Sequence, residues 1–157
     1  MSNRRFDWHE HIKDIEGEYR AARVAVERLK AEVVATPDVL KKKDGTRAYL
    51  RAADTNLEGT YIVRLFAAFE AALRSYDRAR HNDPSRDVVA SVLIDTIGGR
   101  RGQGISTAVR NGAHAVRLLR NYWAHESDEM SGDTTMSIAQ ARARLQTYLS
   151  WLPEEWG

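Results

Sequence analysis

Ile12, Ile15, Tyr19, Ala22, Val26, Leu29 and Val33 follow one another at three- and four-residue steps through residues 6–35. That spacing lines one side of an α-helix and no side of a strand. Similar stripes return through most of the chain. Nowhere does an apolar–polar alternation run long enough for a strand, and no internal repeat or low-complexity tract appears. The chain therefore reads as all-α, a helical bundle of about five main helices.

Breaks between the stripes divide it. Pro37 ends the first helix near Thr36. Val39 and Leu40 allow a short turn, and Lys41 to Gly45 is a basic loop. Thr46 to Asp54 reads as a short helix through Ala48, Leu50 and Arg51. A longer helix runs from Thr55 or Asn56 to Arg80, with Tyr61, Ile62, Leu65, Phe66, Phe69, Ala72, Leu73 and Tyr76 inward. Gly59 weakens its first turn and leaves room for a neighbour to approach closely. After the break at His81 to Pro84, Ser85 to Ile97 gives a helix with Val88, Val89, Val92, Leu93 and Ile97 inward. Gly98 to Gly104 is a basic loop, and Ser106 or Thr107 can cap the helix after it. Ser127 to Thr135 is a polar loop containing acids. Ser137 caps a last helix with Ile138, Ala141, Leu145, Tyr148 and Leu149 inward, and Trp151, Leu152 and Trp156 finish the chain around Pro153.

At 157 residues, 43% of them apolar and four of them tryptophan, the chain is long and apolar enough for one folded domain spanning residues 1–157. It has no cysteine, which excludes disulfides and thiolate metal sites and suits a reducing cytoplasm. The basic N-terminal residues have no apolar segment behind them, so no signal peptide is expected. No apolar run approaches the ~18 residues of a membrane span, so no membrane partner is expected. His9, Glu10 and His11 cluster, but side chains two apart on a helix diverge, and there is no H-E-x-x-H. Neither a metal nor another cofactor is expected.

The net charge of +2 says little. Arginine greatly outnumbers lysine, which favours forked contacts to phosphate but also follows from GC-rich coding. The Gly98–Gly104 loop lacks the G-K-[ST] ending of a phosphate-binding loop and has no strand before it. It is either an inter-helix linker or a place where Arg100 and Arg101 touch an RNA backbone close to a helix N-terminus. No nucleophile motif is present.

The stretch from Ile105 to Glu126 is the most informative. At ~100° per residue, Ala108, Val109, Ala115, Val116, Leu119, Tyr122 and Trp123 share a broad apolar arc. Arg110, His114, Arg117, Asn121 and His125 form a narrow stripe opposite, with Arg120 at the border and no acid until Glu126. Asn121 and His125 are four apart and so share a face. Arg120 and His125 are five apart, about 140° around a regular helix. To address one small group, the helix must fray near Ala124 or a second chain must complete the cleft. A histidine that can transfer a proton and an arginine that can neutralise a phosphate are a minimal set for phosphodiester cleavage without metal. The same residue types also make a plain solvated face.

Arg120-Asn121-Tyr122-Trp123-Ala124-His125 reads R-N-x-x-x-H and resembles the signature of the HEPN superfamily: an arginine, four to six residues, then a histidine. Arg5 with His11 and Arg74 with His81 fit the bare spacing too. At Arg120 an asparagine follows the arginine, and the motif ends a late helix before a polar loop and a final helix. Tyr61 to Glu70 is similar to the aromatic- and glutamate-containing helix of some bacterial members, such as the RiboL-PSP-HEPN group. The resemblance implies a small helical bundle acting as a homodimer, with two motifs facing across one composite site. It implies a metal-independent endoribonuclease that leaves a 2′,3′-cyclic phosphate and a 5′-hydroxyl, in a toxin–antitoxin, abortive-infection or other antiphage setting. His125 would be general acid or base, Arg120 would meet the phosphate, and Asn121 would orient either. Arg117, His114 and Arg110 would extend the RNA groove, with Arg64 or Glu70 supporting it from the neighbouring helix. Partners would be RNA, a second copy, and an antitoxin or other defence component. Some members carry a tyrosine two residues after the histidine, the target of a nucleotidyltransferase antitoxin. Ser127 stands there in this chain, so that antitoxin type is not expected. The rival readings are a non-catalytic HEPN-like module that binds RNA or protein, and a purely structural helical dimer.

Overall fold

The computed structural model describes residues 3–40, 45–98, 104–125 and 136–157, and of His125 the backbone alone. Among these residues five α-helices form: α1 (Arg5–Ala35), α2 (Thr46–His81), α3 (Ala90–Thr96), α4 (Thr107–His125) and α5 (Ile138–Leu149), with a 3-10 turn at Pro37–Val39. No strand forms among them, and Arg4 and Glu155 make an isolated antiparallel bridge. No helix of the described residues is long and apolar enough to cross a membrane.

Helix α2 is central. It packs against all four other helices, and these touch one another in the order α1, α5, α4, α3 around it. A helix enclosed in this way must be apolar on more than one side. From its middle onward Ile62, Leu65, Phe66, Ala68, Phe69, Ala72 and Leu73 are buried accordingly. Tyr148 of α5 meets Phe69 edge-on at 5.3 Å and donates its hydroxyl to the Ile94 carbonyl at 2.9 Å, so its polar atom enters the core satisfied.

The other halves of α1 and α2 form a two-helix arm. No residue is buried beyond Glu16 on α1 or before Gly59 on α2, as expected where two helices have only each other to cover their stripes. Antiparallel contacts hold the arm. Tyr19 and Tyr61 meet edge-on at 5.8 Å. Asp54 accepts from Arg23 at 2.5 Å and from Lys30 at 2.8 Å.

Two expected boundaries differ. Thr46–Asp54 and the following helix are one continuous helix. Asp54, Thr55 and Asn56 resemble a cap, but Asp54 is taken by cations of α1, and Thr55 turns its hydroxyl back to the Arg51 carbonyl at 3.0 Å. A back-bonded threonine continues a helix. Conversely, α3 begins at Ala90, not Ser85. Asp83 accepts from the backbone and hydroxyl of Ser85, an Asx turn that competes with helix. Arg86 donates to the buried Asp77 at 2.6 Å, and Arg78 donates to the Arg86 carbonyl at 2.8 Å. These contacts tie the segment to α2.

Two other expected ends are where the sequence places them, while the loops expected around 41–44, 99–103 and 127–135 lie outside the described residues. Asn82 adopts the left-handed conformation after α2. Ser137 and Gln140 close a capping box on α5, with bonds of 3.3 and 2.9 Å. The C-terminal tail returns to the start of α1, where Arg5 donates to the Leu152 carbonyl at 2.8 Å and the Arg5 N–H to the Glu154 carbonyl at 2.9 Å.

Candidate functional site

Helix α4 starts at Thr107 and stays helical through His125. Its buried face is Ala113, Val116 and Leu119, with Val109 and Trp123 partly buried against the core. Ala108, expected inward, is exposed, and Ala113 takes the inward place. The reason is the direction of the neighbours: α2, α3 and α5 all approach α4, and the face they share is turned from the centre of the apolar arc toward Arg120.

The C-terminal turns of α4 are located by Gly59 of α2. A Cβ at that position would stand 2.1 Å from Trp123 Cδ2 and 2.7 Å from its Cγ. Only a residue without a side chain lets the indole lie there.

Arg120 therefore faces α2. Its guanidinium carbon lies 5.1 Å from the centre of the Phe66 ring, and its Nη2 is 3.4 Å from Glu70 Oε2. The cation is thus both stacked and paired. Its side chain keeps 26% of its exposure, so the group is held but reachable. Glu70 also accepts from Arg74, through Nη2 at 2.8 Å and Nε at 3.3 Å, both on Oε1. Arg74 in turn pairs with Asp87.

The stripe on α4 forms a second cluster. His114 Nε2 lies 2.8 Å from Asp95 of α3, and Arg117 Nε donates toward His114 Nδ1 at 3.4 Å. A donor at Nδ1 requires its lone pair, which leaves the proton on Nε2, toward the carboxylate. Asn121 is partly buried and makes no side-chain hydrogen bond to another described residue.

Two expected contributors stand elsewhere. Arg110 donates to the carbonyls of Ile94, Ile97 at 2.9 Å and Ile105 at 3.1 Å. It caps the end of α3 and holds the connection into α4, so its fork is turned to backbone and away from an RNA groove. Arg64 pairs with Glu18 of α1 at 2.6 Å and lies over Tyr61, away from Arg120. Of the two residues expected to support the site, Glu70 is the one brought to Arg120. Arg100 and Arg101 lie outside the described residues, as does the His125 side chain.

The acid-free character of the stripe belongs to α4 alone. In three dimensions Glu70 brings a carboxylate to Arg120 from α2, and Asp95 brings one to His114 from α3. The i, i+4 spacing of Glu70 and Arg74 was a readable signal for part of this. Nothing local in the sequence marks Asp95 as a partner of His114. Among the described residues no group of three or more histidine and acidic side chains is placed to hold a metal ion.

Comparison with protein-family models, with curated proteins and with solved structures finds no match.

Proposed function

We propose that this protein is a HEPN-type, metal-independent endoribonuclease whose active unit is a homodimer, acting as a toxin or antiphage component. The observation that carries this reading is the setting of Arg120. It is a surface-reachable guanidinium held by Glu70 and Phe66, one residue before Asn121 and five before His125 on α4.

Chemistry needs both ends of the R-N-x-x-x-H motif at one phosphate. Because α4 is helical through His125, positions 120 and 125 are about 140° apart around its axis. A second copy of the motif, facing the first, supplies a histidine from one chain to a phosphate held by arginine of the other. In that site His125 exchanges a proton with the 2′-hydroxyl or the leaving oxygen, Arg120 neutralises the developing charge, and Asn121 orients the phosphate. Arg117 and His114 extend the contact along the RNA.

A second reading has its own support. The carboxylates of Glu70 and Asp95 stand against Arg120 and His114 on this face, which suits a non-catalytic module that docks a protein. Incubation with single-stranded RNA in EDTA separates the two. Cleavage that yields cyclic-phosphate ends and disappears in Arg120→Ala and His125→Ala supports the nuclease. Cleavage that persists in both variants or requires magnesium refutes the proposed mechanism, and intact RNA points to the module.

A further inference from the structure

Glu70 divides its two carboxylate oxygens between two arginines. Oε1 takes both bonds from Arg74, the closer at 2.8 Å, while Oε2 faces Arg120 at 3.4 Å. Arg74 sits one helical turn after Glu70, and two donors from its planar fork converge on Oε1 and anchor that oxygen. With Oε1 saturated by Arg74, Oε2 is the oxygen presented to Arg120. Arg74 is itself held from outside the helix by Asp87. All three inner side chains are mostly covered: Arg74 is 25%, Glu70 20% and Arg120 26% exposed. Phe66 supports the Arg120 guanidinium from beneath, leaving the carboxylate to set the direction of its fork.

We propose that Arg74 is a positioning residue for Arg120, acting through Glu70, and that Asp87 steadies Arg74 from the connection between α2 and α3. The proposal deepens the nuclease reading, because it takes Arg120 as the group that meets the phosphate. It assigns to Arg74 no contact with RNA. A guanidinium whose hydrogen-bond direction is fixed in advance meets a phosphate without reorganising, and loss of such alignment can lower a rate by up to about 100-fold.

The test uses the full-length chain and two readouts. In side-chain nitrogen NMR, Arg120 is assigned by its disappearance in Arg120→Lys. Restricted rotation in the wild type gives resolved Nη signals, and these are expected to be lost in Arg74→Met and in Glu70→Gln, with partial recovery in Arg74→Lys. In RNA cleavage without divalent ions, Arg74→Met is expected to lower kcat by roughly 10- to 100-fold with KM nearly constant. Asp87→Asn, at an exposed position, gives a milder version of both changes and keeps the comparison open if Arg74→Met folds poorly. Unchanged Arg120 signals in Arg74→Met and Glu70→Gln would overturn the relay. So would a raised KM with unchanged kcat, which would make Arg74 an RNA contact, or faster cleavage in Glu70→Gln, which would make Glu70 a competitor for Arg120. If the wild type cleaves no RNA, the nuclease reading fails while the NMR comparison still decides whether Arg74 orders Arg120.

Discussion

Trp123 occupies the space that a side chain at position 59 would need: a Cβ on Gly59 falls 2.1 Å from the indole Cδ2. The atoms it meets are at the root of the ring, not at the tip of a flexible chain. Gly59→Ala should raise intrinsic helix stability by about 1 kcal/mol, yet the collision forces Trp123 or the α4 backbone to move, at a cost of roughly 1–3 kcal/mol or more. The net change is expected to be a loss of stability, visible as a lower Tm. Adding Trp123→Leu should recover part of it. A Tm that rises in Gly59→Ala alone would show that the indole moves aside freely.

The capping box of α5 makes a cleaner stability prediction. Ser137 accepts from the Gln140 N–H, and Gln140 returns a bond to the Ser137 N–H. Ser137→Ala should destabilise the protein by about 1 kcal/mol, measured by urea unfolding. Ser137→Gly should cost less, since glycine is tolerated at that position.

What the sequence made legible follows from how local each cause is. Ser137 and Asn82 act on neighbours within a few positions, so their helix ends can be read directly. The apolar stripes of α1, α2 and α5 are periodic, and the residues at 12, 15, 62, 65, 66, 69, 141 and 145 are buried as the period requires. The start of α3 was not legible, because Arg86 is drawn off the helical path by Asp77 and by the Arg78 contact to its carbonyl, nine and eight positions away. The same limit applies at the candidate site. Arg120 and Glu70 are 50 positions apart and His114 and Asp95 19, so the residues can be named from the sequence but their pairing cannot. Gly59 lies between these cases: its lack of a side chain signals a close approach, and the fold supplies Trp123 as what approaches.

His9 gives a pH dependence with a definite sign. Its Nε2 is buried without a hydrogen-bond partner among the described residues, and burial lowers its pKa from the ordinary 6.5, with Glu10 beside it partly opposing. The unfolded chain therefore takes up this proton at a higher pH than the folded one. Between the two pKa values the unfolded state binds more protons, so stability falls as pH drops below 6.5 and levels off once the folded imidazole also titrates. Above 6.5 His9 contributes no slope. His9→Gln should shrink the loss of stability between about pH 7 and about pH 5, compared by urea midpoints at matched ionic strength. Equal losses in wild type and variant would place the cause in other groups.

The acids around the stripe predict how RNA binding should respond to charge. If Arg117 meets a phosphate, each such contact contributes about 0.7 to the slope of log affinity against log salt for a single strand. Arg117→Ala should then weaken binding across sequences and flatten that slope by a similar amount. Asp95→Asn removes the carboxylate 2.8 Å from His114 Nε2, and with it a negative charge that an approaching phosphate must face. Binding should tighten, most clearly at low salt where screening is weakest. The two substitutions move affinity in opposite directions while touching one cluster. Fluorescence anisotropy with a labelled single-stranded RNA, repeated over a salt series, reads both. A protein-docking face predicts otherwise: little RNA affinity, hence no salt slope for Arg117→Ala to change and nothing for Asp95→Asn to release.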